Sequence, residues 1–184
     1  MTNRTSPKES QSKKLLADGM LGRLARWLRI LGYDTVFDAQ ADDWALIRRA
    51  RAEGRLLLTR DRQLAARRGV PALLIKGEEL VAQLRQVVDA VGPSPEGVYT
   101  RCSVCNGILL PLEREKARLR VPPYVYRTCQ EFHLCQSCDR VYWRGTHVKG
   151  IKEIIDKVRD KSTEKKDNAR SQRHDMTPLK KGHG

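Results

Sequence analysis

Five aspartates and four cysteines hold the chemical potential of this chain. Asp18 closes the short apolar run Leu15-Leu16-Ala17, Asp38 follows a second such run, and Asp61 follows a third, Leu56-Leu57-Leu58-Thr59. Asp42 and Asp43 stand one loop beyond Asp38 and open a helical pattern. Carboxylates gathered in one place raise one another's pKa unless a divalent cation offsets the repulsion. On a basic chain, that points to Mg²⁺ or Mn²⁺, hard ions that take oxygen ligands and keep several waters. Such an ion can activate water against a phosphodiester and stabilise the leaving oxygen. Each acid also has a plainer use. Asp42 suits a helix N-cap, which leaves Asp43 the better ligand; Asp38 can simply end a strand; Asp61, between Arg60 and Arg62, can form a local ion pair.

The cysteines read as a different site. Cys102-Ser-Val-Cys105 and Cys135-Gln-Ser-Cys138 form two knuckles separated by residues 106–134. Each tight Cys-x-x-Cys turn offers two thiolates, and together they suit one tetrahedral zinc. Asn106-Gly107 after the first pair is turn chemistry, and strand-like residues follow each knuckle at 108–112 and 141–143. This is a zinc-ribbon layout. Four thiolates leave no position for water, so the zinc is structural. A redox dithiol would need only one pair. Cys129 is left over, a small core residue or an extra metal ligand. His133 and His147 suit surface or hydrogen-bonded roles; His147, near Trp143 and Arg144, also suits a nucleic-acid contact.

Basic residues flank the acids. Arg23, Arg26 and Arg29 recur every third residue, directly after Asp18. Guanidinium forks match phosphate oxygens, although such a stripe also occurs as a solvated helix face. Arg60 and Arg62 bracket Asp61 in the same manner.

These residues need a scaffold, and the apolar pattern supplies one. Short apolar runs at 14–18, 33–38, 55–61 and 71–76 predict strands. Between them, 20–31 carries Leu21, Leu24, Leu28 and Leu31 at helical spacing. The stretches 42–53, 62–68 and 78–91 are further helices. Alternation of this kind predicts an α/β unit over residues 13–91, with a mainly parallel sheet covered on both faces. In such sheets ligands bind beyond the carboxyl ends of the strands, where Asp18, Asp38 and Asp61 fall. Residues 92–97, Gly-Pro-Ser-Pro-Glu-Gly, read as a linker. Residues 98–160 read as the β-rich ribbon with a C-terminal helix from 148. Residues 1–12 and 161–184 are polar and aperiodic, a disordered lead-in and a disordered basic tail.

Composition narrows the class. The 184 residues carry 36 Lys and Arg against 22 Asp and Glu, a net charge of +14, which favours a polyanionic partner. No apolar run approaches the roughly 20 residues of a membrane span, and the N-terminus lacks the apolar core of a secretory signal. Paired cysteines as metal ligands imply a reducing compartment, so a cytoplasmic location is expected.

The run from Asp18 through Gly-Met-Leu-Gly-Arg-Leu-Ala-Arg-Trp-Leu-Arg-Ile-Leu-Gly-Tyr to Asp34 resembles a known family. So do Gly54-Arg-Leu-Leu-Leu-Thr-Arg-Asp61-Arg, Cys102-x-x-Cys-Asn-Gly, and Cys135-x-x-Cys-x-x-Val-Tyr-Trp-x-Gly-Thr-His147. The family is the Mut-seven C-terminal RNase domain family, and the resemblance spans about residues 14–150. It implies a PIN-like three-layer nuclease domain carrying a zinc ribbon, directed at single-stranded RNA. It also implies Mg²⁺ or Mn²⁺ held by Asp18, Asp61 and Asp42 or Asp43, with Asp38 as a fourth acid. His133 stands where an aromatic would be expected before the second knuckle. The expected activity is a metal-dependent ribonuclease, with Arg23, Arg26, Arg60, Arg62, Trp143, Arg144 and His147 as RNA contacts. A non-catalytic adaptor on ribosomal or transfer RNA is the alternative, and a zinc-ribbon DNA regulator a weaker one.

Overall fold

The computed structural model describes residues 13–145 and 148–160. Its larger sheet contains β1 (Leu15–Ala17), β2 (Thr35–Phe37), β3 (Leu56–Thr59) and β4 (Ala72–Leu74), in the order β2-β1-β3-β4 and parallel throughout. Strands covered on both faces must be apolar on both faces. Leu15, Ala17 and Leu58 accordingly join one buried cluster, while Leu16 and Leu57 join another.

Helices α1 (Gly22–Ile30) and α4 (Leu80–Val91) cover the first face with Leu24, Leu28, Leu80, Leu84 and Val87. The opposite face is covered by α2 (Asp43–Glu53) and α3 (Arg62–Ala65), through Leu46, Ile47, Ala50 and Leu64. The result is the expected α/β sandwich of three layers. Every acid singled out in the sequence lies on loops or helix starts at the carboxyl edge of this sheet.

A short 3-10 turn, Gly19–Leu21, links β1 to α1. Its glycines answer to crowding from β2 and the loop after it. A Cβ on Gly22 would lie 2.9 Å from the Phe37 ring, and one on Gly19 would lie 3.2 Å from the Ala39 carbonyl. Small residues here let the turn after Asp18 close onto the loop that follows Asp38.

The second sheet is antiparallel, with β5 (Leu109–Leu112), β6 (Phe132–Cys135) and β7 (Val141–Trp143) in that order. Helices α5 (Arg114–Ala117) and α6 (Pro123–Thr128) lie between β5 and β6, over a small core of Ala117, Val121 and Phe132. The sequence pattern marks neither short helix nor β6, since none is long enough to show a period.

The two sheets are joined firmly. Within residues 92–97 the Gly92 carbonyl accepts the Tyr33 hydroxyl at 2.6 Å, and Ser94 Oγ donates to the Gly32 carbonyl at 2.8 Å. Helix α7 (Val148–Arg159), grouped by its sequence position with the ribbon, packs instead on the first sheet's helices. Ile155 and Val158 enter the core formed by α1 and α4, and Arg85 of α4 donates to the Lys157 carbonyl at 2.6 Å. Among the described residues no helix is long and apolar enough to cross a membrane.

Candidate metal centres

The cysteine pairs meet where β5 and β6 begin and end. Cys102, Cys105, Cys135 and Cys138 place their sulfurs within 4.8 Å of one another. The Cys102–Cys138 separation is 3.6 Å and the Cys105–Cys135 separation 3.4 Å. A disulfide would require about 2.05 Å. Four sulfurs about 2.3 Å from a tetrahedral zinc stand about 3.8 Å apart. The observed spacing therefore fits a shared cation and excludes bridged pairs. Asn106 takes a positive φ of 71°, which closes the first knuckle, and the Cys105 amide approaches Cys102 Sγ at 3.4 Å.

The thiols' surroundings agree. Burial pushes the Cys102 thiol up, but hydrogen bonds from the Tyr142 hydroxyl and the Cys105 and Val104 amides outweigh it and bring it down to about 6. Burial, with hydrogen bonds that the Cys105 thiol donates to the sulfurs of Cys135, Cys138 and Cys102, pushes Cys105 up to about 12. Four sulfurs this close oppose one another's ionisation, and a cation removes that opposition. Tyr142 Oη lies 2.9 Å from Cys102 Sγ, and burial, with that sulfur, raises the phenol to about 12. It therefore remains a donor to the sulfur, the outer-shell support that metal ligands require. Cys129 stands outside the cluster, with Sγ 3.5 Å from the Arg144 carbonyl.

The acidic edge is built by sheet register. Ala17 pairs with Leu58, and the Asp18 amide extends the ladder to the Leu58 carbonyl at 3.0 Å. Asp18 is thereby set beside buried Thr59. Thr59 Oγ1 donates to Asp18 Oδ2 at 2.7 Å and accepts the Asp61 amide at 3.0 Å. One hydroxyl links the acids of two neighbouring strands. Asp61 also caps α3, its Oδ1 accepting the Gln63 and Leu64 amides at 2.6 and 3.1 Å. That leaves Oδ2 for a ligand.

The remaining acids are more loosely placed. Asp42 Oδ1 caps α2 through the Ala45 amide at 2.7 Å, the plainer use foreseen for it. Asp43 is the exposed first residue of that helix, and Asp38 is exposed with Oδ1 on the Gln40 amide at 3.0 Å. Among the described residues, the cysteines are the only group of three or more whose ligand atoms lie within 4.8 Å of one another. Asp18 and Asp61 suit an ion that takes one or two carboxylates and keeps its waters.

The arginine stripe divides. Arg23 and Arg26 are exposed, whereas Arg29 is 5% exposed and is no part of a solvated face. Its Nε donates to the Thr35 carbonyl at 2.8 Å, and Nη1 donates to the Ser103 and Val104 carbonyls at 3.3 and 2.7 Å. Beside it, Asn106 Oδ1 accepts the Thr35 amide at 3.0 Å, and its Nδ2 donates to Asp34 Oδ1 at 2.7 Å. Thr35 lies on the edge strand β2, so its outward amide and carbonyl would otherwise be unpaired. The first knuckle and Arg29 satisfy both. Asp34, which reads in sequence as a turn residue, also pairs with Arg55 at 2.8 Å. Burial opposes its ionisation, yet the Arg55 and Asn106 hydrogen bonds hold its carboxyl below the usual range. Sequence offers no signal for this joint: Arg29 has the same three-residue spacing as the exposed Arg23 and Arg26.

The other basic candidates lie on the surface. Arg60 approaches Glu78 at 3.7 Å, Arg62 is exposed in the first turn of α3, and Arg144 approaches Glu131 at 3.7 Å. Trp143 is 38% exposed at the end of β7. His147 lies outside the described residues.

A parallel α/β sheet with two linked acids at its carboxyl edge is joined to a small β unit whose four clustered cysteines could hold a metal ion such as zinc. The chain belongs to the Mut7-C RNAse domain family, whose model matches residues 13–155. No curated protein matches it.

Proposed function

We propose that the chain is a Mg²⁺- or Mn²⁺-dependent ribonuclease that hydrolyses phosphodiester bonds of single-stranded RNA. The observation that carries this reading is the Asp61–Thr59–Asp18 hydrogen-bond chain, which ties two acids to one point on the sheet edge. In this reading Asp18 and Asp61 hold the ion, Asp43 is the third ligand, and Asp38 and Asp42 are outer acids. When bound, the ion lowers the pKa of its water and stabilises the leaving oxygen. Thr59 fixes Asp18's carboxylate orientation, and Arg23 and Arg26 hold phosphate on the helix that leaves the site. The ribbon, with structural zinc on Cys102, Cys105, Cys135 and Cys138, adds RNA-binding surface through Trp143, Arg144 and His147.

The decisive experiment is cleavage of a labelled single-stranded RNA with Mn²⁺ and Mg²⁺ by wild type, Asp18→Asn and Asp61→Asn. The expected loss is about 100-fold or more for each variant, the scale of removing one preorganised electrostatic contact. Undiminished cleavage by both variants would refute the site. A second reading, a non-catalytic RNA-binding adaptor on ribosomal or transfer RNA, is favoured by one observation: no three carboxylate oxygens among the described residues approach within 4.8 Å. RNA binding without cleavage under any metal condition would select it.

A further inference from the structure

Between α1 and the ribbon runs an open groove of about 520 Å³. Arg26 lines one side, and Arg120, Asp139, Arg140, Val141 and Tyr142 line the other. Three guanidinium groups face one carboxylate, and that carboxylate is already engaged by Arg120 at 2.6 Å. Arg26 and Arg140 are exposed. The groove thus offers forked donors without a countercharge of its own for two of them. Its walls are also fixed in advance. Arg29, one turn along α1 from Arg26, holds the first knuckle through the Ser103 and Val104 carbonyls, and Tyr142 is tied to Cys102. A ligand entering here meets donors that need no rearrangement, which lowers the ordering cost of binding.

We infer that this groove seats the phosphodiester backbone of a single RNA strand and leads it to the acidic edge. The inference rests on the ribonuclease reading for its direction but not for its chemistry. Arg26 and Arg23 are three residues apart on α1, so they share one side of the helix and form a row running back toward Asp18. Arg26 lies four residues, about 6 Å of rise, beyond the start of α1 at Gly22, and only the short turn Gly19–Leu21 separates that start from Asp18, which puts the groove a short stretch of strand away from the acids. Arginine forks suit phosphate oxygens, and the groove is open enough for a strand to pass through rather than end in it. The same geometry gives the ribbon its use: it forms the wall opposite α1. Arg120 and Arg140 add to the contacts legible in sequence, and their roles follow from the docking of the two units.

The test is fluorescence anisotropy of a single-stranded RNA oligonucleotide over a salt series, without added Mg²⁺ or Mn²⁺, using the full chain. Arg26→Ala/Arg140→Ala is compared with wild type and with Arg48→Ala/Lys152→Ala, which removes equal charge from α2 and α7. Zinc content and thermal melting verify that each variant is folded. Each phosphate contact contributes about 0.7 to the slope of log K against log salt, so the groove variant should lose about 1.4 of slope and bind about tenfold more weakly at low salt. The control pair should stay near wild type. Equal losses in both double variants would overturn the groove, as would no binding by wild type. Displacement of the RNA by polyglutamate of matched charge at equal concentration would also overturn it in favour of an acidic-protein surface. Cleavage assays on the same samples separate the two readings. Wild-type cleavage with an unaffected groove variant sinks the groove alone. Weakened binding by the groove variant, with no cleavage by any protein, sinks the nuclease and keeps the groove.

Discussion

Cys102 and Cys105 sit three residues apart, as do Cys135 and Cys138, whereas Asp18 and Asp61 are brought together by strands far apart in the chain. In the ribbon, each half-site is made by a local turn, and one antiparallel pairing, Leu109 against Cys135, brings the halves together. At the acidic edge nothing is local. Asp18 reaches Asp61 only because Ala17 is registered against Leu58 and because Thr59 carries a hydroxyl where its neighbours are leucines. The sulfur site is therefore defined by two turns and one strand pairing, while the acidic site depends on the whole sheet. A soft, closed site tolerates no loose ligand; a hard, hydrated one uses fewer protein ligands and lets water complete the shell.

That contrast can be broken at several places, in order of effect. Cys135→Ser removes a thiolate from a closed site. In modules of this kind zinc binding is worth roughly 10–16 kcal/mol of folding energy. Zinc content should fall to near zero, and circular dichroism should show loss of the ribbon while the parallel sheet persists. Arg29→Ala comes next. It strips donors from three carbonyls at the joint and should cost about 3 kcal/mol, read as a lower melting temperature. Arg29→Lys, with no fork, should recover only part of that.

Thr59→Val tests the acidic edge alone. It keeps the shape but deletes the hydroxyl between Asp61 and Asp18, costing about 1 kcal/mol of stability. Cleavage should fall about 10–100-fold, the usual cost of losing an outer-shell partner. A larger loss in stability than in cleavage would make Thr59 purely structural. Asp42→Ala, which removes an N-cap and an outer acid, should cost about 1 kcal/mol of stability and lower cleavage less than Asp18→Asn does; a loss of cleavage as large as that of Asp18→Asn with unchanged stability would promote Asp42 to a ligand. The smallest effect is pH-dependent. The Asp34 carboxyl is depressed in the folded chain, so its contribution is present above the ordinary carboxylate value of about 3.9 and lost as pH falls through the folded value. Asp34→Asn should flatten that acid limb of the stability profile.

Much of this was legible from sequence, for definite reasons. Four short apolar runs became four parallel strands because burial on both faces requires such runs, and Asp42 and Gly54 mark the ends of α2 as cap residues do. The cysteine spacing led to the sulfur cluster without any knowledge of the fold. What escaped was whatever depends on how the units dock. Arg29 has the spacing of Arg23 and Arg26, yet it is buried because the first knuckle sits over it. Asp34 looks like a turn residue until Asn106 and Arg55 converge on it. Helix α7 has a clear apolar face, but no pattern in the chain says that this face belongs to α1 and α4.

The position of α7 has a consequence for the order of assembly. Ile155 and Val158 complete the core around α1 and α4, but in the chain they follow the entire ribbon. During synthesis the parallel sheet emerges first with part of its helical layer uncovered, and the covering helix arrives only after the whole ribbon has been made. Whatever slows the ribbon's folding then bears on how long that apolar face stays open to wrong partners, well beyond the ribbon itself.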